Sequence, residues 1–231
     1  MFSLLTIEDK LLLEPMEFRK LVPVNTKKSK TKEDSIEDIN KDINKYSDLV
    51  YLKLREKYIS KIIMNQGLVI SIKNFQIKSD LIVEIEGVVD IKYECSLIIF
   101  CPKEGDILYG TICDCDKKYI IVDCDLIKVK VPVQKLMEPH FFNMKEHLWF
   151  WSYNDKNFFY DKKLKCKLKV LDVCFKSENE ISKIIKEKML EEDEDSQITE
   201  QDLRNALKKE DYMEIYCSMS QEGLGPIKWW E

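Results

Sequence analysis

The spacing of apolar residues in the first hundred positions predicts a unit that mixes strands and helices. The apolar stretch from Phe2 to Leu13 predicts a first strand. Pro15 favours a short helix after it, because proline is well tolerated at a first helical position. Apolar residues then recur at three- and four-residue steps from Ser47 to Met64, which predicts a longer helix closed by Gly67.

Three strands are expected after this helix: Leu68 to Ile77, Leu81 to Ile85, and a strand that begins at Val89. The polar segment from Asn25 to Lys45 shows no sustained apolar period, so we predict that it is a disordered insertion. The first unit is therefore expected to be α+β, with a strand, a helix and a small antiparallel sheet.

After residue 102 the pattern changes to short strands separated by polar turns. The predicted strands are Ile107–Cys113, Tyr119–Cys124, Leu126–Val131, Lys163–Phe175 and Tyr212–Ser218. Five strands with a long connection before the last are typical of an all-β, five-stranded barrel of the OB type. The aromatic stretch from His140 to Tyr160 is expected to be a loop. The highly charged segment 177–211 is expected to be a mainly helical, acidic insertion.

A short segment between the two patterns is rich in residues that direct the chain. Phe100 lies at the end of an apolar run, and Pro102 stops the strand because it lacks a backbone donor. Gly105 permits a sharp redirection, and Gly110 lies where a bulge or a tight bend needs no side chain. We therefore predict two compact units on a short rigid neck. The expected boundaries are 1–102 and 103–231.

Composition narrows the class of protein. The chain has 231 residues, 45% apolar and 34% charged, and its formal net charge is −5. Segment 176–211 alone carries 7 Lys/Arg against 12 Asp/Glu, so the rest of the chain is free to carry a basic face. No apolar run approaches the roughly 18 residues of a membrane helix, and the charged stretch Glu8-Asp9-Lys10 argues against a secretory leader. We expect no membrane contact and eight reduced cysteines, in cytosol or nucleus.

The clearest candidate binding face is a row of lysines that alternate with apolar residues. Its members are Lys163, Lys165, Lys167 and Lys169, with Lys128 and Lys130 repeating the pattern and Tyr119 as a candidate stacking platform. At the period of two of a strand, the lysines point to one side and the apolar residues to the other. Such a face can follow an RNA backbone. It also fits a solvated strand whose lysines prevent aggregation, and both interpretations stay open here.

No group of residues indicates catalysis or a bound metal. Cys113, Cys115 and Cys124 lack the second ligand pair of a zinc site, so we interpret Cys113 and Cys115, which share a strand face, as core residues. His140 and His147 have no serine or cysteine placed as a nucleophile and are interpreted as ordinary loop residues. We expect no cofactor and no metal, and interpret the chain as a binding module.

Four tryptophans are candidate anchors of a core or an interface. They are Trp149, Trp151, Trp229 and Trp230. The last two form a pair beyond the final predicted strand, where exposure to water would be unusual. We expect that pair to pack either onto the barrel or into a partner.

Several motifs resemble one family. The neck Phe100-Cys-Pro-Lys-Glu-Gly-Asp-Ile-Leu-Tyr-Gly110 resembles the F-x-P-x-x-G-[DE]-x-x-x-G joint of the larger stalk subunit of archaeal and eukaryotic RNA polymerases. The segment from Ile62 to Leu68 is similar to the end of that family's tip helix and its loop. Trp149-Phe-Trp151, the acidic insertion and Gly223-Leu-Gly-Pro-Ile-Lys-Trp-Trp-Glu231 resemble the RNA polymerase III member.

The resemblance implies a nuclear, non-catalytic stalk subunit with a tip domain, an OB barrel near the RNA exit path and no cofactor. It implies four partners: a small helical stalk subunit, the polymerase III core, transcription initiation factors and nascent RNA. The tip loop that touches the core matches Asn65, Gln66, Gly67 and Leu68. Lys117 and Lys118 stand where such barrels often have a glycine before the aromatic Tyr119, a departure that affects base stacking there.

Two alternatives accompany this hypothesis. The chain could be the equivalent subunit of polymerase I or II, which the largest copurifying subunit would distinguish. It could instead be a free-standing RNA-binding OB protein, which would bind RNA without a partner chain.

Overall fold

The computed structural model describes residues 1–19, 47–78, 82–83, 88–177, 179–183, 185 and 212–230. The expected insertion at 25–45 and most of the one at 177–211 lie outside these residues. The chain divides into two compact units, Phe2–Phe100 and Cys101–Glu231 together with Met1. Among the described residues, no helix combines the length and the apolar character that crossing a membrane requires.

The first unit is built on an antiparallel sheet. In chain order its elements are β1 (Phe2–Leu13), α1 (Pro15–Arg19), α2 (47–58), β2 (Ile62–Ile63), β3 (Gly67–Ile77), β4 (Ile82–Val83) and β5 (Val89–Phe100). Strands pair in the order β1-β5-β3-β2, and β4 also pairs with β5. Every second residue of β5 from Val89 to Ile99 is buried, as a strand with one face on a core requires. Val50 and Leu54 of α2 are fully buried too.

The predicted helix from Ser47 to Met64 was too long, because its end forms a hairpin. Ile62 pairs with Leu68 and Ile63 with Gly67, so these residues belong to β2 and β3. Ser60 and Asn65 have positive φ angles of 63° and 59°, which a continuous helix excludes. Gly67, at a φ of 124°, therefore lies at the start of a strand and does not close the helix.

A polar cluster ties α2 to β1 and β5. Asp9 accepts hydrogen bonds from Lys57 Nζ and from the Tyr58 hydroxyl, each at 2.7 Å. The hydroxyls of Tyr58 and Tyr93 lie 2.7 Å apart. The hydrogen bonds from Lys57 and Tyr58 hold the pKa of Asp9 well below its ordinary value. The cluster therefore fixes the position of the helix on the sheet.

The second unit contains a closed five-stranded barrel. Its strands are β6 (Ile107–Cys115), β7 (Tyr119–Asp123), β8 (Lys128–Pro132), β12 (Lys165–Phe175) and β13 (Met213–Ser218). Pairing runs β13-β8-β7-β6-β12, and β12 pairs with β13 to close the ring. The β8–β13 pair is parallel, and the other pairs of the ring are antiparallel. The expected fold class, an α+β unit followed by an OB-type barrel, is confirmed.

Two glycines shape the entry into the barrel. Gly105 has a φ of +88°, which an L side chain rarely adopts. A Cβ on Gly110 would lie 2.6 Å from the Asp123 carbonyl oxygen and 2.8 Å from the Cys124 sulfur. Gly110 therefore permits the close approach of β6 and β7 at the bend of the barrel, where the ladder shifts register between Ile112 and Asp114.

The prediction of a loop from His140 to Tyr160 was wrong, because this stretch forms a three-stranded antiparallel sheet. Its strands are β9 (His140–Asn143), β10 (Leu148–Tyr153) and β11 (Lys156–Phe159). Phe150 of β10 faces Phe141 and Phe159 across the ladder, with ring centres 5.7 and 5.2 Å away. Asn154 and Asp155 connect β10 and β11 with positive φ angles, the geometry of a two-residue hairpin turn.

Only the start of the acidic insertion is described. Residues 179–183 and 185 are helical and form α3. The Ser177 hydroxyl accepts a hydrogen bond from the Glu180 amide at 3.3 Å, and the Glu180 carboxylate accepts one from the Ser177 amide at 2.8 Å. This reciprocal pair is a capping box.

A short β14 (Gly225–Pro226) pairs with β12 near the end of the chain.

Candidate nucleic-acid interface

The lysine row forms one outward strip on β12. Cys166, Leu168 and Val170 are fully buried, so Lys165, Lys167 and Lys169 point away from the core, as the alternation predicted. Lys163 lies in the turn before the strand, at a φ of 71°, and does not continue the strand pattern. Within the described part of the chain, none of these four lysines forms an ion pair. Their charges are therefore available to an anion.

Lys128 and Lys130 occupy a second strip, on β8, next to Tyr119 at the start of β7. Lys130 Nζ lies 5.9 Å from the centre of the Tyr119 ring, within reach of a cation–π contact. The Tyr119 and Tyr216 ring centres are 6.3 Å apart. Strands β6 and β13 lie between the two strips on either side of the barrel. The structure therefore brings Tyr119 and Lys130 together, but separates them from the β12 row.

Glu214 on β13 changes the electrostatics of the second strip. This carboxylate accepts hydrogen bonds from Lys130 at 2.6 Å, from Lys176 at 2.8 Å and from the Tyr216 hydroxyl at 2.8 Å. Burial opposes its ionisation, but the hydrogen bonds outweigh burial and lower the pKa of Glu214 to about 2. Burial together with the hydrogen bond to Glu214 raises the pKa of Tyr216. Lys130 is therefore already paired with a carboxylate.

Sequence reasoning missed Glu214 and Lys176. The bond from Lys130 to Glu214 joins residues 84 positions apart through the parallel pairing of β8 with β13. No local periodicity reports such a pairing. The one available signal was an acidic residue inside the apolar strand Met213–Ser218.

The loop before Tyr119 presents two further cations. Lys117 and Lys118 are exposed in the connection between β6 and β7. The Trp149 indole donates a hydrogen bond to the Asp116 carbonyl at 2.9 Å, which anchors this loop to the β9–β11 sheet. In OB barrels, the second and third strands and the first connecting loop commonly bind oligonucleotides. Here those parts are β7, β8 and the Lys117–Lys118 loop.

The cysteines and histidines offer no catalytic arrangement in the described structure. Cys113 is exposed, so its expected core position was wrong; the bulge in β6 interrupts the alternation next to it. Burial raises the pKa of Cys115 to about 11 and that of Cys124 to about 12, which keeps both thiols protonated at neutral pH. Among the described residues, no three His, Cys, Asp or Glu side chains are placed to hold a metal ion.

The two histidines lie in or beside the β9–β11 sheet. The His140 ring contacts Trp149, with 5.4 Å between ring centres, and its Nδ1 lies 3.2 Å from the Met137 carbonyl. His147 is in the turn before β10 at a φ of 52°. Neither position resembles a catalytic pair, and His140 belongs to a strand where a loop was expected.

The tryptophans hold the chain end against this sheet. The Trp229 ring centre lies 5.7 Å from Trp151 and 4.7 Å from Tyr160. Trp230 lies 6.3 Å from Trp151 and donates its indole hydrogen to the Leu224 carbonyl at 2.8 Å. Trp149 packs on Phe142, 5.1 Å away. Both terminal tryptophans therefore contact the protein's own aromatic residues.

The expected docking loop is an exposed hairpin end in the first unit. Asn65 and Gln66 are exposed in the turn between β2 and β3, and the Gln66 amide donates to the Ile63 carbonyl at 3.0 Å. Gly67 and Leu68 begin β3, and Leu68 pairs with Phe100. A turn with two exposed polar residues is accessible to another protein.

The comparisons with known proteins converge on one family. Residues 106–230, more than half of the chain, match the family model described as RNA polymerase III subunit Rpc25. A relative from Dictyostelium discoideum, the DNA-directed RNA polymerase III subunit rpc8, is 25% identical over 241 residues, covering 100% of this chain and 85% of the relative. The RPC8 subunit of Bos taurus is 22% identical over 192 residues, covering 80% of this chain and 89% of that protein.

A third relative matches over a shorter stretch. The rpc8 subunit of Schizosaccharomyces pombe is 29% identical over 102 residues, which is 43% of this chain and 50% of the relative. All three names refer to RNA polymerase III, which confirms the resemblance of the neck and tail motifs to its stalk subunit. The family model spans the whole closed barrel. The chain therefore belongs to the family of RNA polymerase III subunit Rpc25.

Proposed function

We propose that this chain is the non-catalytic stalk subunit of a nuclear RNA polymerase III. The observation that carries the proposal is the match of residues 106–230, which contain the whole barrel, to the polymerase III family model. The Dictyostelium discoideum relative aligns along the entire chain and so supports the same role for the first unit. The chain contributes surfaces for assembly and for RNA, while phosphodiester chemistry belongs to the polymerase core.

Assembly with partner proteins uses the exposed turn of the first unit. The exposed hairpin turn at Asn65 and Gln66 docks on the polymerase core, and a small helical subunit pairs with this chain to complete the stalk. Contacts of the stalk with initiation factors support promoter-dependent transcription. What supports this part is the position of the turn at an accessible end of the sheet, together with family membership.

Contact with nascent RNA is assigned to the barrel. The β12 strip offers three outward lysines that form no ion pair in the described structure, and such groups bind phosphates with release of counterions. The β7–β8 strip offers Tyr119 for stacking and the exposed Lys128. Lys130 lies over the Tyr119 ring while it is paired with Glu214. Because of that ion pair, Lys130 attracts a phosphate less strongly than Lys128 does.

Affinity purification of the tagged full-length chain, followed by mass spectrometry, tests the assembly. We expect the largest subunit of polymerase III and a small helical partner to copurify in stoichiometric amounts. Recovery with the largest subunit of polymerase I or II would transfer the proposal to that enzyme. Recovery as a lone monomer, or with ribosomes, would overturn it.

Charge reversal of Lys163, in the turn before β12, together with two lysines of the β12 strip tests the RNA contact. The triple variant Lys163→Glu, Lys165→Glu, Lys167→Glu should weaken binding of a single-stranded oligoribonucleotide and flatten its dependence on salt, because fewer counterions are released. A matched control reverses three exposed lysines outside the strip: Lys61 in the first unit, and Lys145 and Lys156 at the ends of the β9–β11 hairpins. Equal affinity of the triple variant and the wild type would make the strip a solvated face.

A further inference from the structure

A concave pocket lies at the end of the β12 lysine strip. It has a volume of about 390 Å³ and lies between the turn at Glu104–Gly105, the middle of β12 and the loop after β13. Nothing in the family resemblance assigns a role to it. All of its lining residues belong to the second unit.

Two lysines that form no ion pair in the described part of the chain line this pocket. Lys169 is the last lysine of the β12 strip, and its Nζ donates a hydrogen bond to Gln221 Oε1 at 3.3 Å. Lys135 enters from the short 3-10 helix Val133–Lys135. Among the described residues that line the pocket, Glu104 is the one carboxylate, so with the two lysines their net formal charge is +1. Two lysines that line one concavity favour an anion.

Hydroxyl and amide groups complete the lining, and internal hydrogen bonds hold them in place. Ser218 is only 3% exposed, and its Oγ lies 2.8 Å from the Ser220 Oγ and accepts from the Ser220 amide at 3.1 Å. The Met219 amide donates to the Lys135 carbonyl at 2.8 Å. These hydrogen bonds fix the loop that carries Ser220 and Gln221 beside the backbone of Lys135. Because the loop is already ordered, binding of a ligand costs little loop entropy.

A β-bulge forms part of the wall of the pocket. The β12–β13 ladder pairs Val170 with Cys217 and Asp172 with Tyr216, so Leu171 has no partner in that ladder. A bulge leaves its extra residue unpaired and bends the strand locally. Val170 and Leu171 both line the pocket, so the irregular part of β12 is the part that faces it.

We propose that this pocket binds a phosphate group, held by Lys135, Lys169 and the polar side chains of the loop after β13. A tetrahedral oxyanion accepts several hydrogen bonds, and two lysines, two serines and a glutamine line the pocket. Lys169 belongs to both the strip and the pocket, so an RNA backbone that follows the strip reaches the pocket with its next phosphodiester. That source rests on the proposed RNA contact, whereas the pocket itself would also accept free phosphate.

Two probes on the full-length chain separate these sources. Inorganic phosphate is titrated into isotope-labelled protein, with the backbone amide resonances of Gly105 and Ser218–Gln221 as the readout. An oligouridine is bound in parallel by fluorescence anisotropy, with and without competing phosphate. The variants are Lys135→Gln in the pocket, Lys165→Gln on the strip outside it, and Lys156→Gln outside both. An unchanged tryptophan fluorescence spectrum and melting temperature establish that each variant folds.

The expected result is saturable movement of the pocket resonances with phosphate, and an affinity about tenfold lower in Lys135→Gln, since a charged hydrogen bond is lost. Lys165→Gln and Lys156→Gln should leave phosphate affinity unchanged. A parallel loss of oligouridine affinity in Lys135→Gln, with competition by phosphate, identifies RNA as the source. Phosphate binding without any effect on oligouridine supports the pocket with free phosphate as its ligand.

The proposal is overturned if the pocket resonances do not respond to phosphate and Lys135→Gln binds oligouridine like the wild type. If the wild-type chain binds no oligouridine at all, the RNA contact fails. The phosphate titration then still decides the pocket, because its readout does not depend on RNA.

Discussion

Replacing Glu214 by glutamine tests the polar network on the β8–β13 side of the barrel. Glu214 is 8% exposed, and Lys130 and Lys176 approach its carboxylate to 2.6 and 2.8 Å. Burial alone would raise its pKa, but the hydrogen bonds lower the pKa from 4.5 to about 2. The variant keeps the shape of the side chain and removes its charge.

The magnitude follows from that pKa. Because one pKa unit corresponds to about 1.4 kcal/mol, a fall from 4.5 to about 2 is worth about 3 kcal/mol of unfolding free energy at neutral pH. The side chains of Lys130 and Lys176 are 35% and 26% exposed, so solvent screens part of the attraction. We therefore expect Glu214→Gln to lose about 2 kcal/mol. Because the folded-state pKa is the lower one, this contribution is complete above pH 4.5 and is lost as the pH falls towards 2.

Urea titration followed by tryptophan fluorescence measures this difference. All four tryptophans lie between residues 149 and 230, so the signal reports on the second unit. The unfolding free energy of the wild type should exceed that of Glu214→Gln by about 2 kcal/mol near neutral pH. This difference in unfolding free energy should disappear near pH 2. The control Glu222→Gln removes an exposed carboxylate and should change stability by less than about 0.5 kcal/mol. An equal deficit of Glu214→Gln at both pH values, or no deficit near neutral pH, would refute the reasoning.

Five further substitutions, in three sets, test the packing. Gly110→Ala should lower the unfolding free energy by about 2 kcal/mol, because its Cβ would lie 2.6 Å from a carbonyl oxygen. Gly105→Ala has open space around its Cβ but a φ of +88°, and should lower the unfolding free energy by about 1 kcal/mol. Equal losses in urea titrations would contradict the close approach of β6 and β7. Tyr58→Phe removes the hydroxyl that donates a hydrogen bond to the Asp9 carboxylate on β1 at 2.7 Å. The free energy of protection of the backbone amides of α2, measured by hydrogen exchange, should fall by about 1 kcal/mol. Unchanged exchange would mean that the polar cluster around Asp9 does not hold α2 on the sheet. Trp229→Ala should lower the unfolding free energy by about 3 kcal/mol and Trp230→Ala by about 1 kcal/mol, because Trp229 packs on three aromatic rings and Trp230 is 37% exposed. Thermal unfolding measures both losses. A larger drop in melting temperature for Trp230→Ala than for Trp229→Ala would contradict the packing of the chain end.

Local periodicity was enough to predict the barrel strands. Alternation of lysines with Cys166, Leu168 and Val170 identified both the strand and its buried face, because a closed barrel buries one side of every strand. Gly110 was identified from its residue type, since a glycine inside an apolar strand often marks a bulge or the close approach of another backbone.

The β9–β11 sheet escaped prediction because its central strand is apolar on both faces. Leu148-Trp-Phe-Trp in β10 shows no alternation, as one aromatic row contacts the chain end and the other lies on the opposite face. The Asn154-Asp155 turn was the usable signal. Similarly, Ile62 and Ile63 continue the helical spacing of α2, although their pairing with β3 makes them a strand.

The candidate site was predicted only in part, because its lysines are local and their partners are distant. The outward direction of Lys165 and Lys167 follows from the strand period. The pairing of Lys130 with Glu214, and the meeting of Lys135 with Lys169 in one pocket, depend on contacts between strands far apart in the sequence. The sequence pattern therefore identified the basic strip but not the network or the pocket.

We propose that this chain supports initiation by polymerase III without taking part in RNA synthesis itself. The most direct measurement compares polymerase III purified from cells depleted of this chain with the same enzyme after recombinant chain and small partner are added back. Promoter-dependent initiation should be lost on depletion and restored by addition, while extension of a primed RNA on a promoter-free template should be unchanged throughout. Loss of primed extension on depletion, or promoter-dependent initiation that persists without the chain, would contradict the account.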